Sequence, residues 1–405
     1  MAYKPALMSK RYTRKHRCGL EYSGDIFLKV GVFHPPFRPK YFGGSVVVTV
    51  SVINALAEAG HDVILFASDS VDQKKIIELL GTRISPLAKE IVKTSFLPPR
   101  SLVDVYASAF RLLTLKKKCH VCIDTYSNYV FPWTDVCYLH FPYINSFLFR
   151  QHFPYLKNSR GCWREAFNLP YIFFEKNLES YSQKLILANS RYTASAIQES
   201  LGAKAEVLYP PVSRAFFQED SQIPNGHSRE NLVTSIGRIT RDKRMETIPY
   251  IAKAVKEKNV RFVIMGFGHD DTTLRIINAK MKEFNLERKI TILKDASRKG
   301  ILDLLRKTKV YLHPPTLEHF GISIAEAMAL GCIPVVYDDG GAKEFVPKEF
   351  RYENLDDAAE KVEKAINSWS PKQARRMNSI AERFAEPNFH RNFIKIFSAY
   401  CSQKK

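Results

Sequence analysis

Two carboxylates flank a Phe-Gly turn in the stretch LEHFGISIAEAMALG, residues 317–331. Glu318 precedes the turn, and Glu326 lies eight residues later, where apolar residues recur with helical spacing. The preceding apolar run predicts a strand that ends just before Glu318. Gly321 permits close approach of a ligand, and the unpaired N–H groups of the next helix favour an anion. The segment could bind a phosphate-bearing ligand whose hydroxyls donate to the carboxylates; the alternative is a solvated loop charge and an ordinary first-turn glutamate.

A basic loop in the second half of the chain supports the first interpretation. In SIGRITRDKRMET, Arg238 follows a predicted strand and Lys243 comes five residues later. A planar guanidinium and a point-like ammonium suit the neutralisation of a diphosphate, although a solvated basic loop has the same pattern. In FVIMGFGHD, Gly266 ends another predicted strand and would admit a flat base.

Two features of the first half could face the same ligand. Gly43 and Gly44 open a predicted helix after the first strand, which is a second place where an anion could approach the backbone. His140 ends the apolar strand DVCYLHF and would face the cleft from the opposite wall. A simple turn and a structural histidine are the alternatives at these positions.

Apolar runs alternate with helix-periodic segments along the chain, which is typical of parallel sheets with crossover helices. The pattern occurs on both sides of a polar connector at 221–231 and predicts an α/β fold of two Rossmann-like domains that face each other across a ligand cleft. Helices are expected at 45–60, 101–117, 163–182 and 191–201, and from about residues 245, 272, 298 and 322. The expected division is a basic extension at 1–26, a first domain at 27–215, a second domain at 216–385, and a terminal helix at 386–405 that packs back on the first domain.

The formal charge of +20 predicts an anionic partner. No helix-turn-helix, zinc-finger or RNA-binding signature accompanies that charge, so no nucleic acid is expected. Seven cysteines indicate reduced thiols, and Cys119 and Cys122 of CHVC are expected as buried thiols in a strand rather than as metal ligands. The N-terminus lacks the apolar core of a signal peptide, and no apolar run of about 18 residues occurs, so we expect a cytoplasmic protein without a spanning helix.

Together these motifs resemble the retaining glycosyltransferases of family 4, which have the GT-B fold. The similarity depends on the order and spacing of YFGGSVVV, YLHFPY, ANSRYTASAI and VLYPPV in the first half, and of GR with Lys243, EHFGISIAEAMALGCIPVV and a Gly-Gly pair in the second. Within the family, YLHFP, NSRYT, YPPV and EHFGI are most similar to mannosyltransferases that extend lipid-linked oligosaccharides.

The resemblance implies that the donor is a nucleotide sugar, GDP-mannose or a UDP-sugar, with no cofactor and no essential metal. Arg238 and Lys243 would neutralise the departing diphosphate. Glu318 would bind hydroxyls of the transferred sugar, Glu326 would bind ribose hydroxyls, and His140 would lie near the anomeric centre. The other implied donor-binding residues are Gly43, Gly44, Gly266, Phe320, Gly321, Ile322 and Ser323. The two carboxylates are expected to need no cation of their own, because the positive side chains would face the diphosphate.

The acceptor is expected to be a glycan or a lipid-linked saccharide. An amphipathic segment at 101–118 and an aromatic, basic segment at 144–176 predict contact with an anionic membrane face; packed aromatics with solvated basic edges are the alternative. A peripheral position on the cytoplasmic membrane face would follow. Two other functions stay open: another reaction on a GT-B fold, such as sugar-nucleotide epimerisation, and non-catalytic binding of membrane or nucleic acid.

Overall fold

Strands of two parallel sheets form the framework of the chain in a computed structural model, which describes residues 27–37, 42–68, 70–92, 102–142, 181–217, 229–294 and 297–404. The first sheet contains β1 (Lys29–Phe33), β2 (Asp62–Ala67), β3 (Lys89–Val92), β4 (Val121–Asp124), β5 (Val136–Leu139), β6 (Leu185–Ala188) and β7 (Glu206–Val207). The second contains β8 (Glu230–Ile239), β9 (Arg261–His269), β10 (Ile290–Lys294), β11 (Thr308–His313), β12 (Ile333–Tyr337) and β13 (Arg351–Tyr352).

Both sheets have a doubly wound strand order. The strands pair as β3-β2-β1-β4-β5-β6-β7 and as β10-β9-β8-β11-β12-β13. The order reverses beside β1 in one sheet and beside β8 in the other, and open α/β sheets bind ligands at such switch points, at the carboxyl ends of the strands. The predicted pair of Rossmann-like α/β domains is confirmed.

Helices cover both sheets. In the first half they are α1 (Gly44–Glu58), α2 (Gln73–Leu80), α3 (Leu102–Lys116) and α4 (Arg191–Leu201). In the second half they are α5 (Ile248–Ala254), α6 (Asp271–Glu283), α7 (Arg298–Lys307), α8 (Ile322–Ala329), α9 (Leu355–Ser368), α10 (Pro371–Glu382) and α11 (Glu386–Gln403). The elements α2, β3, β13, α9 and α10 were not predicted from the sequence, and the helix expected at 163–182 lies almost entirely outside the described residues.

The helix α1 forms despite a run of β-branched residues that disfavours helix in isolation. Most of its side chains are buried, because the sheet covers one side and α11 covers another. Phe389, Phe393 and Phe397 of α11 are four residues apart, so they share one face of that helix, and they belong to the same hydrophobic cluster as the buried valines of α1. The terminal helix therefore packs on α1, in the first half of the chain.

Two boundaries in the second half differ from the sequence-based expectation. The connector expected at 221–231 ends earlier, because Arg229 is buried and donates to the Leu305 carbonyl, and β8 begins at Glu230. The helix expected from about residue 245 begins at Ile248 instead, after two 3-10 turns whose junction is Arg244 in the left-handed region, with φ of 48°. These turns carry Lys243 to the carboxyl end of the sheet.

Candidate active site

The Glu318 carboxylate lies just beyond the carboxyl end of β11, where two side chains donate to it. Lys243 Nζ donates to Glu318 Oε2 at 2.8 Å, and His313 Nε2 donates to the same oxygen at 3.0 Å. Lys243 belongs to the 3-10 turn after β8, and His313 is the last residue of β11. Because β8 and β11 are adjacent in the sheet, these side chains meet at its switch point.

The charge of Glu318 is stabilised by these neighbours. Burial alone would raise its pKa, but the Lys243 ammonium and the His313 hydrogen bond outweigh burial, so the pKa of Glu318 lies well below its ordinary value. Burial lowers the pKa of His313 despite the opposing effect of Glu318. At neutral pH the cluster is therefore a carboxylate held by an ammonium and a neutral imidazole. The other carboxylate oxygen of Glu318, Oε1, has no hydrogen-bond partner among the described residues and can accept from a hydroxyl.

The backbone of Glu318 rests on Gly340 and Gly341. The Gly341 N–H donates to the Glu318 carbonyl at 2.7 Å. A Cβ on Gly340 would lie 2.4 Å from that carbonyl oxygen, and a Cβ on Gly341 would lie 1.9 Å from the His319 carbonyl oxygen. The Gly-Gly pair of the sequence motif therefore supports the loop that carries the Glu318 carboxylate, a role that the motif alone does not predict.

The N-termini of α8 and α1 meet across the cleft. Gly321 precedes α8 with φ of 90°, in the left-handed region that favours glycine. A Cβ on Gly44 would lie 3.0 Å from Ile322 Cδ1, so the first turns of the two helices approach each other. The N–H groups of Ile322 and Ser323 precede the first intrahelical hydrogen bond of α8, which leaves them for an anion.

Three of the remaining predicted donor residues have structural surroundings of their own. Phe320 is buried and packs against Phe345 and Phe384, with ring centroids 5.0 Å away in both cases. A Cβ on Gly266 would lie 2.5 Å from the side chain of Ile239, so packing already requires glycine there. Gly43 precedes α1 in extended backbone. Whether these residues contact a donor stays a prediction.

Arg238 lies within the last residues of β8 rather than after the strand, because β8 continues to Ile239. Its guanidinium donates to Asp242 Oδ2 at 3.0 Å, and 45% of its side chain is exposed. Its other four N–H donors have no hydrogen-bond partner among the described residues, so they can bind phosphate oxygens.

The expectation that the two carboxylates need no cation of their own is wrong. Glu318 pairs with Lys243, and Glu326 Oε1 accepts from Arg298 Nη2 at 2.8 Å. Both members of the second pair are largely buried, and a buried carboxylate is too costly without a compensating charge. Arg298 was not identified from the sequence, because 28 residues separate it from Glu326.

His140 follows β5 at the carboxyl end of the first sheet. Its Nε2–H donates to the Thr125 carbonyl at 3.1 Å, and its own N–H donates to Asn128 Oδ1 at 2.7 Å. The Asn189 side chain donates to the His140 carbonyl at 3.0 Å. Two loops of the first sheet, the one after β4 and the one after β6, thus fix the position of His140, whose catalytic role stays a prediction.

Two contacts that the sequence did not reveal join the halves beside this site. The Phe141 ring stacks on the His319 imidazole, with centroids 4.2 Å apart. Glu344 accepts from the N–H groups of Arg191 and Tyr192, at 3.1 and 2.8 Å, so it caps α4 from the other half of the chain. Residues next to the predicted site therefore hold the two sheets together.

Two family models match adjacent parts of the chain. The model described as Glycosyltransferase Family 4 matches residues 42–216, and the one described as Glycosyl transferases group 1 matches residues 216–384. The chain belongs to the family 4, group 1 glycosyltransferases. The junction of the two matches at residue 216 lies between the two sheets, and the resemblance seen in the motifs is confirmed.

Relatives of this family-4 chain include proteins named as mannosyltransferases. A Neurospora crassa protein named GDP-Man:Man(3)GlcNAc(2)-PP-Dol alpha-1,2-mannosyltransferase is 29% identical over 47% of this chain and 37% of its own length. A Dictyostelium discoideum protein of the same name is 24% identical over 67% of this chain and 60% of its own. Mouse alpha-1,3/1,6-mannosyltransferase ALG2 is 26% identical over 49% of this chain and 53% of its own length. The chain spans between 37 and 60% of the length of these relatives.

Solved structures of glycosyltransferases share the fold. Anabaena HepE in complex with UDP and glucose superposes with a TM-score of 0.68 at 15% identity, over 92% of this chain and 99% of HepE. Sucrose-phosphate synthase from Thermosynechococcus elongatus superposes with a TM-score of 0.70 at 16% identity, over 93% of this chain and 99% of its own. WaaG, a glycosyltransferase involved in lipopolysaccharide biosynthesis, superposes with a TM-score of 0.65 at 13% identity, over 88% of this chain and 95% of its own. The predicted GT-B fold is confirmed.

Among the described helices, none combines the length and apolar character needed to cross a bilayer.

Proposed function

We propose that the protein is a retaining glycosyltransferase that transfers mannose from GDP-mannose to a lipid-linked oligosaccharide. The observation that carries the proposal is the cluster of Lys243, His313 and Glu318 at the switch point of the second sheet. The names of the Neurospora and Dictyostelium relatives support GDP-mannose and a lipid-linked acceptor, and the name of the mouse relative supports mannose.

Cleavage of a sugar–phosphate bond places additional negative charge on the departing diphosphate, and preorganised positive groups lower that barrier. Lys243 has three N–H donors and uses one on Glu318, so two are left for phosphate oxygens. The exposed guanidinium of Arg238 and the first N–H groups of α8 supply further donors. These groups supply the positive charge in the proposed reaction, which therefore needs no bound metal.

Glu318 would orient the transferred sugar by accepting from one of its hydroxyls through Oε1. In the proposed retaining reaction the acceptor hydroxyl attacks the face that the diphosphate vacates. The acceptor oxygen forms the new bond to the anomeric carbon, the bond to the diphosphate breaks, and a departing phosphate oxygen takes the acceptor proton. His140, on the facing wall, would line the acceptor side of the anomeric centre.

The acceptor side would rest on an anionic membrane face, with the protein peripheral on its cytoplasmic side. Within the described residues, α3 ends beside the exposed Lys117 and Lys118, and the Phe110 side chain on this helix is 70% exposed. An exposed aromatic about two helical turns before two exposed lysines suits the interface of an anionic bilayer. The other predicted membrane segment, 144–176, lies outside the described residues.

A panel of donors tests the reaction. GDP-mannose, GDP-glucose, UDP-glucose and UDP-N-acetylglucosamine are each incubated with the protein and a polyprenyl-diphosphate-linked oligosaccharide, with and without EDTA. We expect transfer from GDP-mannose that EDTA does not reduce, and an α-linked product by NMR. A β-linked product would contradict retention, and loss of activity with EDTA would contradict metal independence. Transfer only from UDP-sugars would refute the donor, and no binding or turnover of any nucleotide sugar would favour a non-catalytic basic protein. Epimerised donor would indicate the other GT-B reaction.

Flotation with liposomes tests the membrane contact separately. The protein is mixed with phosphatidylserine-containing or purely zwitterionic vesicles at low salt. We expect it to float with the anionic vesicles and less so when the variant Lys117→Glu/Lys118→Glu is used. Failure of the wild-type protein to float at low salt would refute membrane contact and leave the transfer reaction untouched.

A further inference from the structure

The ion pair between Arg298 and Glu326 joins two helices that connect strands of the second sheet. Arg298 is the first residue of α7, which follows β10, and Glu326 lies in the second turn of α8, which follows β11. The Arg298 and Glu326 side chains are 11% and 10% exposed, and Nη2 and Oε1 are 2.8 Å apart. A charge-assisted contact this well shielded from water holds its geometry better than an exposed one.

Packing also fixes the Arg298 side chain. Its guanidinium carbon lies 4.2 Å from the centroid of the Phe216 ring, which is a cation–π distance. In the first half of the chain, Gly81 ends α2 with φ of 66°, and a Cβ there would lie 3.3 Å from Arg298 Cγ. The stem of Arg298 therefore lies against the first half while its head group holds a carboxylate of the second.

Only one oxygen of Glu326 is occupied by this pair. Arg298 takes Oε1, and Oε2 has no hydrogen-bond partner among the described residues. An ionised carboxylate accepts through both oxygens, and hydroxyls are suitable donors. Glu326 thus resembles Glu318, where Lys243 and His313 occupy Oε2 and Oε1 is left over.

We propose that Arg298 is a positioning residue that fixes Glu326 so that its Oε2 accepts from the 2′-hydroxyl of the donor's ribose. The inference rests on the proposed function, since it requires a nucleotide donor in the cleft. Arg298 holds the carboxylate in one orientation, and the free oxygen then discriminates a ribonucleotide from its 2′-deoxy analogue. Without Arg298, the carboxylate is free to rotate, and the hydroxyl loses its defined acceptor.

Binding of GDP and 2′-deoxy-GDP, with UDP and 2′-deoxy-UDP in parallel, tests this role by calorimetry. A hydrogen bond to a charged group corresponds to about a ten- to hundred-fold preference of the wild-type protein for the ribonucleotide. In Arg298→Met we expect that preference to fall to about threefold or less, and Glu326→Gln should reduce it similarly. Arg306→Met is the matched control, since Arg306 lies on the same helix and pairs with the exposed Asp303 at 3.3 Å; it should keep the wild-type preference.

The outcomes separate the positioning role from the proposed function. If the wild-type protein binds GDP or UDP with the expected preference and Arg298→Met keeps it, the role of Arg298 is refuted and the function stands. If neither GDP nor UDP binds, the proposed function fails together with the inference. If the wild-type protein binds GDP or UDP without a preference for the ribonucleotide, the ribose contact and the role of Arg298 fail and the function stands. Should Arg298→Met prove unfolded by circular dichroism, Arg298→Lys replaces it. Lysine keeps the charge but not the guanidinium geometry, so an undiminished preference in that variant equally refutes the role.

Discussion

Phe141 and His319 stack face to face across the cleft, with ring centroids 4.2 Å apart and planes inclined by 14°. Each ring is the chain neighbour of a predicted catalytic residue, since His140 precedes Phe141 and Glu318 precedes His319. The stack therefore fixes how far apart the two walls of the candidate active site stand. The Tyr192 ring also stacks with Phe141, with ring centroids 6.0 Å apart and planes inclined by 22°.

Replacement of His319 tests whether the stack sets the geometry of catalysis. His319→Phe keeps an aromatic ring in the stack, so we expect kcat within about threefold of the wild-type value. His319→Ala removes the ring, and misplaced reacting groups should lower kcat by about a hundred-fold while the donor Kd changes little. Steady-state kinetics and calorimetry give the two quantities. Equal loss of kcat in both variants would contradict a stacking role and assign the effect to the imidazole itself.

Loss of either Lys243 or Glu318 should abolish transfer in a folded protein. Lys243→Ala removes an ammonium placed to neutralise the leaving group, and Glu318→Ala removes the acceptor for sugar hydroxyls, so we expect kcat to fall about 10²- to 10³-fold or more in each case. Transfer is measured with radiolabelled donor, and circular dichroism checks the fold.

An exposed ion pair provides the control for that experiment. Lys75 Nζ and Glu78 Oε2 are 2.9 Å apart on α2, with both side chains about half exposed. Lys75→Ala should leave kcat unchanged, because exposed pairs of this kind contribute little. Near-normal transfer by Lys243→Ala or Glu318→Ala would show that the catalytic assignment is wrong.

Gly341 should be far less tolerant of a methyl group than Gly300. A Cβ on Gly341 would lie 1.9 Å from the His319 carbonyl oxygen, so Gly341→Ala must displace the loop that carries Glu318. We expect it to lower the free energy of unfolding by about 2–4 kcal/mol and to reduce transfer. Gly300 lies within α7, where the nearest atom to a Cβ would be Ser297 Oγ at 3.4 Å. Gly300→Ala should be neutral or stabilising by up to about 1 kcal/mol. Equal urea midpoints for the two variants would contradict this account of the loop.

Periodicity predicted the architecture because it is a local property of the chain. A buried strand such as VGVF, and a glycine that ends such an element, can be recognised within a few residues. Two series in which strands alternate with helices imply two parallel sheets. Short elements such as α2 and β3 escaped assignment, since α2 has only eight residues, of which Ile76 and Leu80 are buried, and β3 has only four. The helix α1 is a converse case, in which burial overrides poor propensity.

The pairing of charges in the candidate site could not be predicted from the sequence. Lys243 and Glu318 are 75 residues apart, and Arg298 and Glu326 are 28 apart, so neither pair has a spacing rule. The sequence placed Lys243 and Glu318 correctly at the carboxyl ends of strands, but only strand order shows that β8 and β11 are neighbours. The contacts of Glu344 and His319 with the first half depend on how the sheets face each other, which no local pattern records.

Acid should weaken the fold through the Lys243–His313–Glu318 cluster. The pKa of Glu318 lies well below its ordinary value of 4.5, and the pKa of His313 lies below its ordinary 6.5, so in both cases the unfolded chain binds the proton more readily. Stability is therefore greatest above pH 6.5, declines as unfolded His313 takes up a proton, and declines further below pH 4.5 as unfolded Glu318 does.

The variant Lys243→Met isolates the part of this pH-dependent stability that depends on the Lys243 ammonium. At pH 7 we expect this variant to be less stable than the wild-type protein by about 1–2 kcal/mol, a range that allows for the partial exposure of Lys243. Without Lys243 the folded-state pKa of Glu318 rises toward its unfolded value, so the wild-type advantage should narrow as the pH falls below 4.5. Urea unfolding at pH 7, 5, 4 and 3 measures the difference, and Lys75→Met serves as the exposed control. A difference that stays constant down to pH 3 would show that Lys243 does not stabilise the charge of Glu318.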